Sequence, residues 1–258
     1  MRFKQHKALW SIAIATYAFL YLPLIIVVIY SFNDSRLNAE WVGFTLNWYQ
    51  VLFADEPMLD AARNTLIIGA ITSVCATVLG TLAGLAMHRY KLRLLPRLVL
   101  TPIAIPEILM GLSLLVFFVT LNFTLGFVSI TLAHIAFCVG FVAIVVRARL
   151  AGMDNALVEA ARDLGATPLQ AFRLVTLPLI MPGIVAGALM AFTLTIDDFV
   201  ITYFTAGAGA STLPLQIYSM LKIAVTPEVN AISTLLMLLT LALIFIASKL
   251  APGALRGE

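Results

Sequence analysis

Four side chains stand where a cation could be handled inside otherwise apolar sequence. Asp197 and Asp198 lie side by side near the end of an apolar run, just before Tyr203, and Glu107 follows Pro106 within another run. A carboxylate at the middle of a bilayer costs about 2.5–3.5 kcal/mol on insertion scales, so it needs a partner, water or a ligand. Carboxylates attract ammonium groups, and an aromatic face can add a cation–π contact. A second reading stays open. Neighbouring residues on a helix point about 100° apart, so one aspartate can face a pathway while the other caps a helix or pairs with Arg63 or Lys222. Glu107 can likewise cap a broken helix or form a salt bridge.

Other chemistries find little support. His6, His88 and His134 lack ligand spacing, and Cys75 and Cys138 lie in apolar stretches. Those cysteines read as small buried hydrophobes rather than as a disulfide or metal site. Ser11 and the threonines have no base arranged beside them in the sequence. There is no glycine-rich phosphate loop carrying the required lysine and serine or threonine. The expectation is a chain that is not an enzyme, binds no cofactor or metal of its own and does not bind nucleic acid.

The elements that must position these residues follow from composition. Of 258 residues, 62% are hydrophobic and only 11% charged, against about 25% charged in a typical soluble domain. Most of the exterior is therefore expected to meet lipid or apolar protein. No linker or low-complexity tract divides the chain, which points to a single transmembrane domain over 1–258. Apolar segments run over about 8–30, 65–87, 98–121, 127–146, 179–203 and 231–247. Roughly 20 helical residues cross the hydrocarbon core, so six transmembrane helices are expected, the last lengthened by Thr226 as cap and Pro227 in the first turn. The first segment is too long for a signal-peptide core and is expected to remain as a span.

Charge orients the spans. Arg2, Lys4 and Lys7, then Arg89, Lys91, Arg93 and Arg97, then Arg147, Arg149, Arg162 and Arg173, and finally Lys249 and Arg256 fall on one side of a six-span topology. They make up 13 of the 16 basic residues, leaving Arg36, Arg63 and Lys222 opposite. The basic side is the cytoplasmic one, so both termini are expected there. On the outer side, Asp34, Glu40, Asp55, Glu56 and Asp60 are interleaved with Trp41, Phe44, Trp48 and Tyr49. This suits an interfacial helix, read either as a packed cap at the headgroups or as a docking surface. Pro23, Pro102, Pro106 and Pro182 suggest bent spans, and Gly80 with Gly84 forms a close-packing face in the second. No inverted repeat is visible.

The polar interval 147–178 is the most informative. Asp154 can cap a short helix running to Leu164, with Gly165 as its exit. Thr167 can cap a second helix, with Pro168 in its first turn and Gln170 completing a capping box. Leu157, Ala160, Ala161 and Leu164 share an apolar edge, to be covered either by the chain's own bundle or by a cytoplasmic protein.

In this interval Glu159-Ala160-Ala161, then Gly165, then Leu177-Pro178, with Val175 where isoleucine is usual, resembles the cytoplasmic signature of binding-protein-dependent ABC importer permeases. The resemblance implies a coupling helix seated in a groove of the ATPase subunit, formed by the region from Glu159 through Asp163, Gly165, Thr167 and Pro168 to about Gln170. More widely, YSFNDSR (30–36), AHIAFC (133–138), EAARDLGAT (159–167), FTLTIDDFV (192–200) and PEVNA (227–231) resemble the spermidine/putrescine permease subunits. That family implies an all-α type I ABC importer permease fold in the bacterial inner membrane. Its implied partners are a homodimer of ATPase subunits holding ATP and Mg, a second and different permease, and a periplasmic substrate-binding protein. A multiply positive polyamine would then meet Asp197, Asp198, Tyr203 and Glu107 along its path. The alternatives are another cargo on the same scaffold (sulfate, thiamine or ferric ion), an ion-coupled secondary transporter, or a non-transporting membrane scaffold.

Overall fold

Long apolar runs fold as helices because only internal hydrogen bonding satisfies their backbone in lipid. The computed structural model describes residues 2–35, 40–90, 94–223 and 226–250, and the side chains of all of these except 2–8, 223, 243–244 and 246–250. Arg2, Lys4, His6, Lys7, Arg36, Lys91, Arg93, Lys249 and Arg256 lie outside the described side chains, so the expectations resting on them do too.

In chain order the helices begin with α1 (Arg2–Tyr30), α2 (Asn47–Ala54), α3 (Glu56–Arg89) and α4 (Leu94–Ala104). Next come α5 (Glu107–Thr120), α6 (Phe127–Ala151), α7 (Ala156–Asp163) and α8 (Pro168–Ala171). A five-residue π-helical segment, Phe172–Thr176, leads into α9 (Leu177–Ile196). The chain ends with α10 (Val200–Thr205), α11 (Leu213–Ile223) and α12 (Pro227–Leu250).

The span count differs from the six expected. Among the described residues, four helices are long and apolar enough to cross a membrane: Leu9–Tyr30, Glu56–Arg89, Phe127–Ala151 and Pro168–Ile196. The expected third span is two helices, α4 and α5, bent by 109° at their junction, and makes a fifth if the pair is one span. The break falls at Pro106, which has no N–H and drives Ile105 out of helical geometry. Pro23, Pro102 and Pro182 stay inside their helices. The described apolar part of α12, Pro227–Ala242, is shorter than the roughly 20 residues that cross the hydrocarbon core.

The chain divides into two compact units, Met1–Leu59 with Ile217–Thr240 and Asp60–Gln216 with Leu241–Glu258. In the first, the expected interfacial helix is reduced to the short α2, and the aromatics instead build a cap. The Asn33 amide donates to Glu40 O at 2.8 Å and accepts from Val42 N–H at 2.9 Å, while Trp48 Nε1–H reaches Asn33 O at 2.8 Å. Phe32 stacks on Phe44 at 5.4 Å, and Ser31 is hydrogen-bonded to the Tyr49 hydroxyl. By contrast the apolar stretch of α1 is wholly unburied, as suits a helix facing lipid or another subunit.

In the second unit α6 is the central helix. Cys138, Val142, Ala143 and Val146 are fully buried, and Ile180 and Ala191 of α9 join the same core. Gly80 and Gly84 of α3 set their backbone directly against α6, where Val142 and Val146 fill the space that side chains would take. The small-residue face thus packs within this chain's own bundle, by the close approach that drives helix association in lipid. Ser73 Oγ adds a 2.7 Å hydrogen bond to Ala188 O of α9.

Candidate functional site

The two groups of candidate residues occupy opposite ends of one continuous helix. At the loop end, α7 begins beneath Asp154, whose Oδ1 accepts from Ala156 N–H at 2.9 Å. The helix starts one residue later than Asp154 as cap would have it, with Asn155 as N-cap and no side-chain bond from it. Its exit is a full Schellman motif. Gly165 N–H bonds Arg162 O and Ala166 N–H bonds Ala161 O, a geometry that needs the left-handed φ of +89° held by Gly165.

Thr167 then opens the next helix through a reciprocal box. Its Oγ1 accepts from Gln170 N–H at 3.3 Å, and Gln170 Oε1 accepts from Thr167 N–H at 2.8 Å. Pro168 sits in the first turn. The expected second short helix does not stop. It continues through the π segment, where Leu177 N–H reaches back to Phe172 O, into α9, so that Pro168–Ile196 is one 29-residue helix. The wide turn falls just before Pro178, whose ring and missing N–H disturb the regular ladder. At about 1.5 Å per residue the rod is roughly 40 Å long.

Much of the apolar edge of α7 is left uncovered by the described residues. Leu157 is 49% and Leu164 90% exposed, and Leu169 of α8 is 73% exposed. Ala161 and Val158 are the partly buried members. Glu159 and Arg162 line a groove of about 650 Å³, together with His88, Arg89, Tyr90 and Phe172.

At the far end the helix stops at Ile196 and restarts as α10. Asp198 makes that restart possible. Its Oδ1 accepts from Ile201 N–H at 3.3 Å and its Oδ2 from Thr202 N–H at 3.1 Å, capping the new helix in the usual carboxylate manner. The same Oδ2 lies 3.1 Å from Nε2 of His134 on α6, in a hydrogen bond between side chains that are 6% and 1% exposed. For one of the two aspartates the sequence offers a helix cap or a pairing with Arg63 or Lys222; Asp198 takes the cap, and the side chain facing it is His134. In sequence His134 reads as an ordinary interfacial or packed residue, and the 64 positions separating the pair leave no periodic signal to connect them. Lys222 lies over the ring of Tyr218, 4.7 Å from its centroid.

Asp197 is exposed, within reach of the charges of Asp198 and Glu107. Glu107 is also exposed and opens α5 directly after the Pro106 break. One turn on, Gly111 packs against Phe204 and Val200 O of α10, so α5 and α10 meet beside the acidic residues. Tyr203, half exposed, has its ring 5.5 Å from both Phe199 and Phe204. The structure therefore gathers Glu107, Asp197, Asp198 and Tyr203 at the junction of α5, α9 and α10, with Asp198 turned inward and Asp197 outward. No group of three or more His, Cys, Asp or Glu among the described residues is arranged to hold a metal.

Comparison with known proteins gives this geometry a context. Residues 76–253 match the family described as binding-protein-dependent transport system inner membrane component. The chain is 41% identical over 247 residues to the spermidine/putrescine transport system permease protein PotC of Escherichia coli K12, covering 95% of this chain and 94% of that one. It is also 41% identical over 240 residues to the putrescine transport system permease protein PotI of the same organism, covering 88% and 85%. Among solved structures it is similar to a chain of a bacterial alginate ABC transporter in complex with an alginate pentasaccharide-bound periplasmic protein, with a TM-score of 0.72 at 17% identity over 98% of this chain and 96% of that one. An inward-facing MetNI methionine ABC transporter gives a TM-score of 0.65 at 23% identity, covering 78% of this chain and all of that one. At such identities these structures speak for the fold alone.

Proposed function

We propose, for a chain that belongs to the family of binding-protein-dependent transport system inner membrane components, that it is the permease subunit of an ATP-driven importer of spermidine and putrescine. The observation that carries the cargo is the 41% identity, across nearly the whole chain, to permeases named for those polyamines. The chain acts as one membrane domain in the inner membrane. Six spans result if α4 and α5 together make the third and α12 the sixth, and the 13 basic residues on one side of that topology set both termini in the cytoplasm.

The partners follow from the family. A periplasmic binding protein delivers cargo, a second permease completes the path, and a pair of ATPase subunits holds ATP and Mg. Glu159, Ala160, Ala161, Asp163, Gly165, Thr167 and Pro168 form the face through which those subunits act. The rod from Pro168 to Ile196 supports this division of labour, because a displacement at its capped end is delivered to the acidic junction at its other end. There Asp197, Glu107 and Tyr203 offer charge and aromatic surface to an ammonium chain, with Asp198 beside them. Alternating access is the rocking of this rod against α5 and α10 as the ATPase closes and reopens.

The test is uptake of labelled spermidine and putrescine by cells lacking this chain, with and without its restoration, the other subunits being present in both. Restored saturable uptake is expected, and Asp197→Asn is expected to raise the apparent KM several-fold with the complex assembled. An assembled complex that restores no polyamine uptake would move the cargo to another solute.

A further inference from the structure

Two adjacent aspartates on a transport path look interchangeable in sequence, yet their surroundings differ completely. Asp198 has all but 6% of its side chain buried and is engaged by Ile201 N–H, Thr202 N–H and His134. A carboxylate only accepts, so the facing Nε2 of His134 must carry the proton. That imidazole is 1% exposed, and its Nδ1 is buried with no hydrogen-bond partner among the described residues. The other nitrogen, Nε2, faces Asp198 Oδ2 at 3.1 Å and, farther off, Thr202 Oγ1 at 3.5 Å, so Asp198 is the nearer partner that orients the ring. His134 is in turn fixed on the best-buried helix of the unit, with Ile130, Ala133 and Cys138 fully buried around it. Nearby, Ser129 Oγ lies 2.7 Å from Thr205 O, so α6 holds α10 at both its beginning and its end.

We propose that His134 is a positioning residue for cargo recognition: by anchoring Asp198 at the α9–α10 break, it fixes the backbone that presents Asp197 outward. The inference rests on the cation-path reading above and assigns the two carboxylates different tasks. Asp198 builds the corner, and Asp197 meets the ammonium group. His134 touches no cargo itself.

The experiment uses the complete transporter, purified and also reconstituted in vesicles, with His134→Ala, His134→Gln, Asp197→Asn, Asp198→Asn and the doubles His134→Ala/Asp198→Asn and His134→Ala/Asp197→Asn. Thermal melting without cargo reads the anchor. His134→Ala and Asp198→Asn should each lower the melting temperature, and the double should fall by clearly less than the sum of the two, since the His134–Asp198 contact is lost in both. Kinetics read the positioning. His134→Ala should raise the polyamine KM by roughly tenfold, the order of a lost charge-assisted hydrogen bond. His134→Gln, which keeps an N–H donor, should recover most of it. In an Asp197→Asn background the His134→Ala change should add nothing to KM. Additive melting losses, or a His134→Ala variant that loses maximal rate at unchanged KM, overturns the proposal. A wild-type transporter with no polyamine transport defeats the cargo reading instead, and the melting cycle still decides the anchor.

Discussion

The guanidinium Nε of Arg149 donates to the carbonyl oxygen of Leu179 at 3.1 Å, joining the end of α6 to the first turn of α9 across the polar loop they enclose. The arginine stem lies over Gly183, where a Cβ would come within 3.0 Å of the Arg149 Cβ. The loop proposed above to meet the ATPase is thus closed at its base, a link through which movement of α7 and α8 would be passed to α9.

Opening that closure should uncouple the machine before it unfolds it. Arg149 is exposed, so its removal is expected to cost only about 1 kcal/mol, the scale of an ordinary hydrogen bond. In Arg149→Ala, polyamine moved per ATP hydrolysed should fall about twofold or more, while melting shifts little. An unchanged ratio in reconstituted vesicles would contradict the role given to this contact.

The capping box can be tested by itself. Thr167→Ala leaves Gln170 N–H without its side-chain acceptor, a loss of about 1 kcal/mol for a typical N-cap. Hydrogen exchange at Gln170 and Ala171 should then quicken roughly fivefold, as that free energy implies. Thr167→Ser should behave as wild type. Equal exchange in all three would show that the box does not hold the start of the rod.

Leu164 is 90% exposed and makes no core, so changing it should spare the fold and touch only what docks there. Leu164→Glu is expected to weaken ATPase capture by the permease pair at least tenfold, about 1.4 kcal/mol, at an unaltered melting temperature of the permeases alone. Binding measured on immobilised permease checks this, and full-strength capture would place the docking face elsewhere.

At Gly80 a Cβ would lie 2.6 Å from Val142 Cβ and 2.9 Å from Val139 O. Neither a buried valine nor a helix backbone can yield easily, and overpacking of this kind costs about 1–3 kcal/mol. Gly80→Ala should therefore lower the melting temperature by several degrees, since a chain of this size moves roughly 2–4 °C per kcal/mol. Gly43→Ala, with nothing within 4 Å of its Cβ position, is the matched control and should be silent.

Legibility in the sequence followed the range of the forces involved. The Gly165 exit and the Thr167–Gln170 box involve residues three to five apart, and both stand as the residue types require. Asp154 was legible as a cap to within one residue. What lay beyond reach were choices among similar residues. Four prolines fall in apolar runs, and of these only Pro106 breaks its helix. Two aspartates adjoin, and only Asp198 turns inward. Gly80 and Gly84 announced close packing without naming the partner, which is Val142 and Val146.

By itself, then, the sequence determined that this protein is helical and lives in a membrane, which residues cap its loop, and which family signature the loop carries. These depend on hydropathy summed over about 20 residues and on backbone groups satisfied by near neighbours. Only the tertiary structure decided that the loop helix and the next span are one rod, that the third apolar segment is bent by 109°, and that His134 takes the carboxylate of Asp198. The reason is physical: a buried polar group must find its partner wherever packing brings one within hydrogen-bonding distance, and that distance is measured through space rather than along the chain.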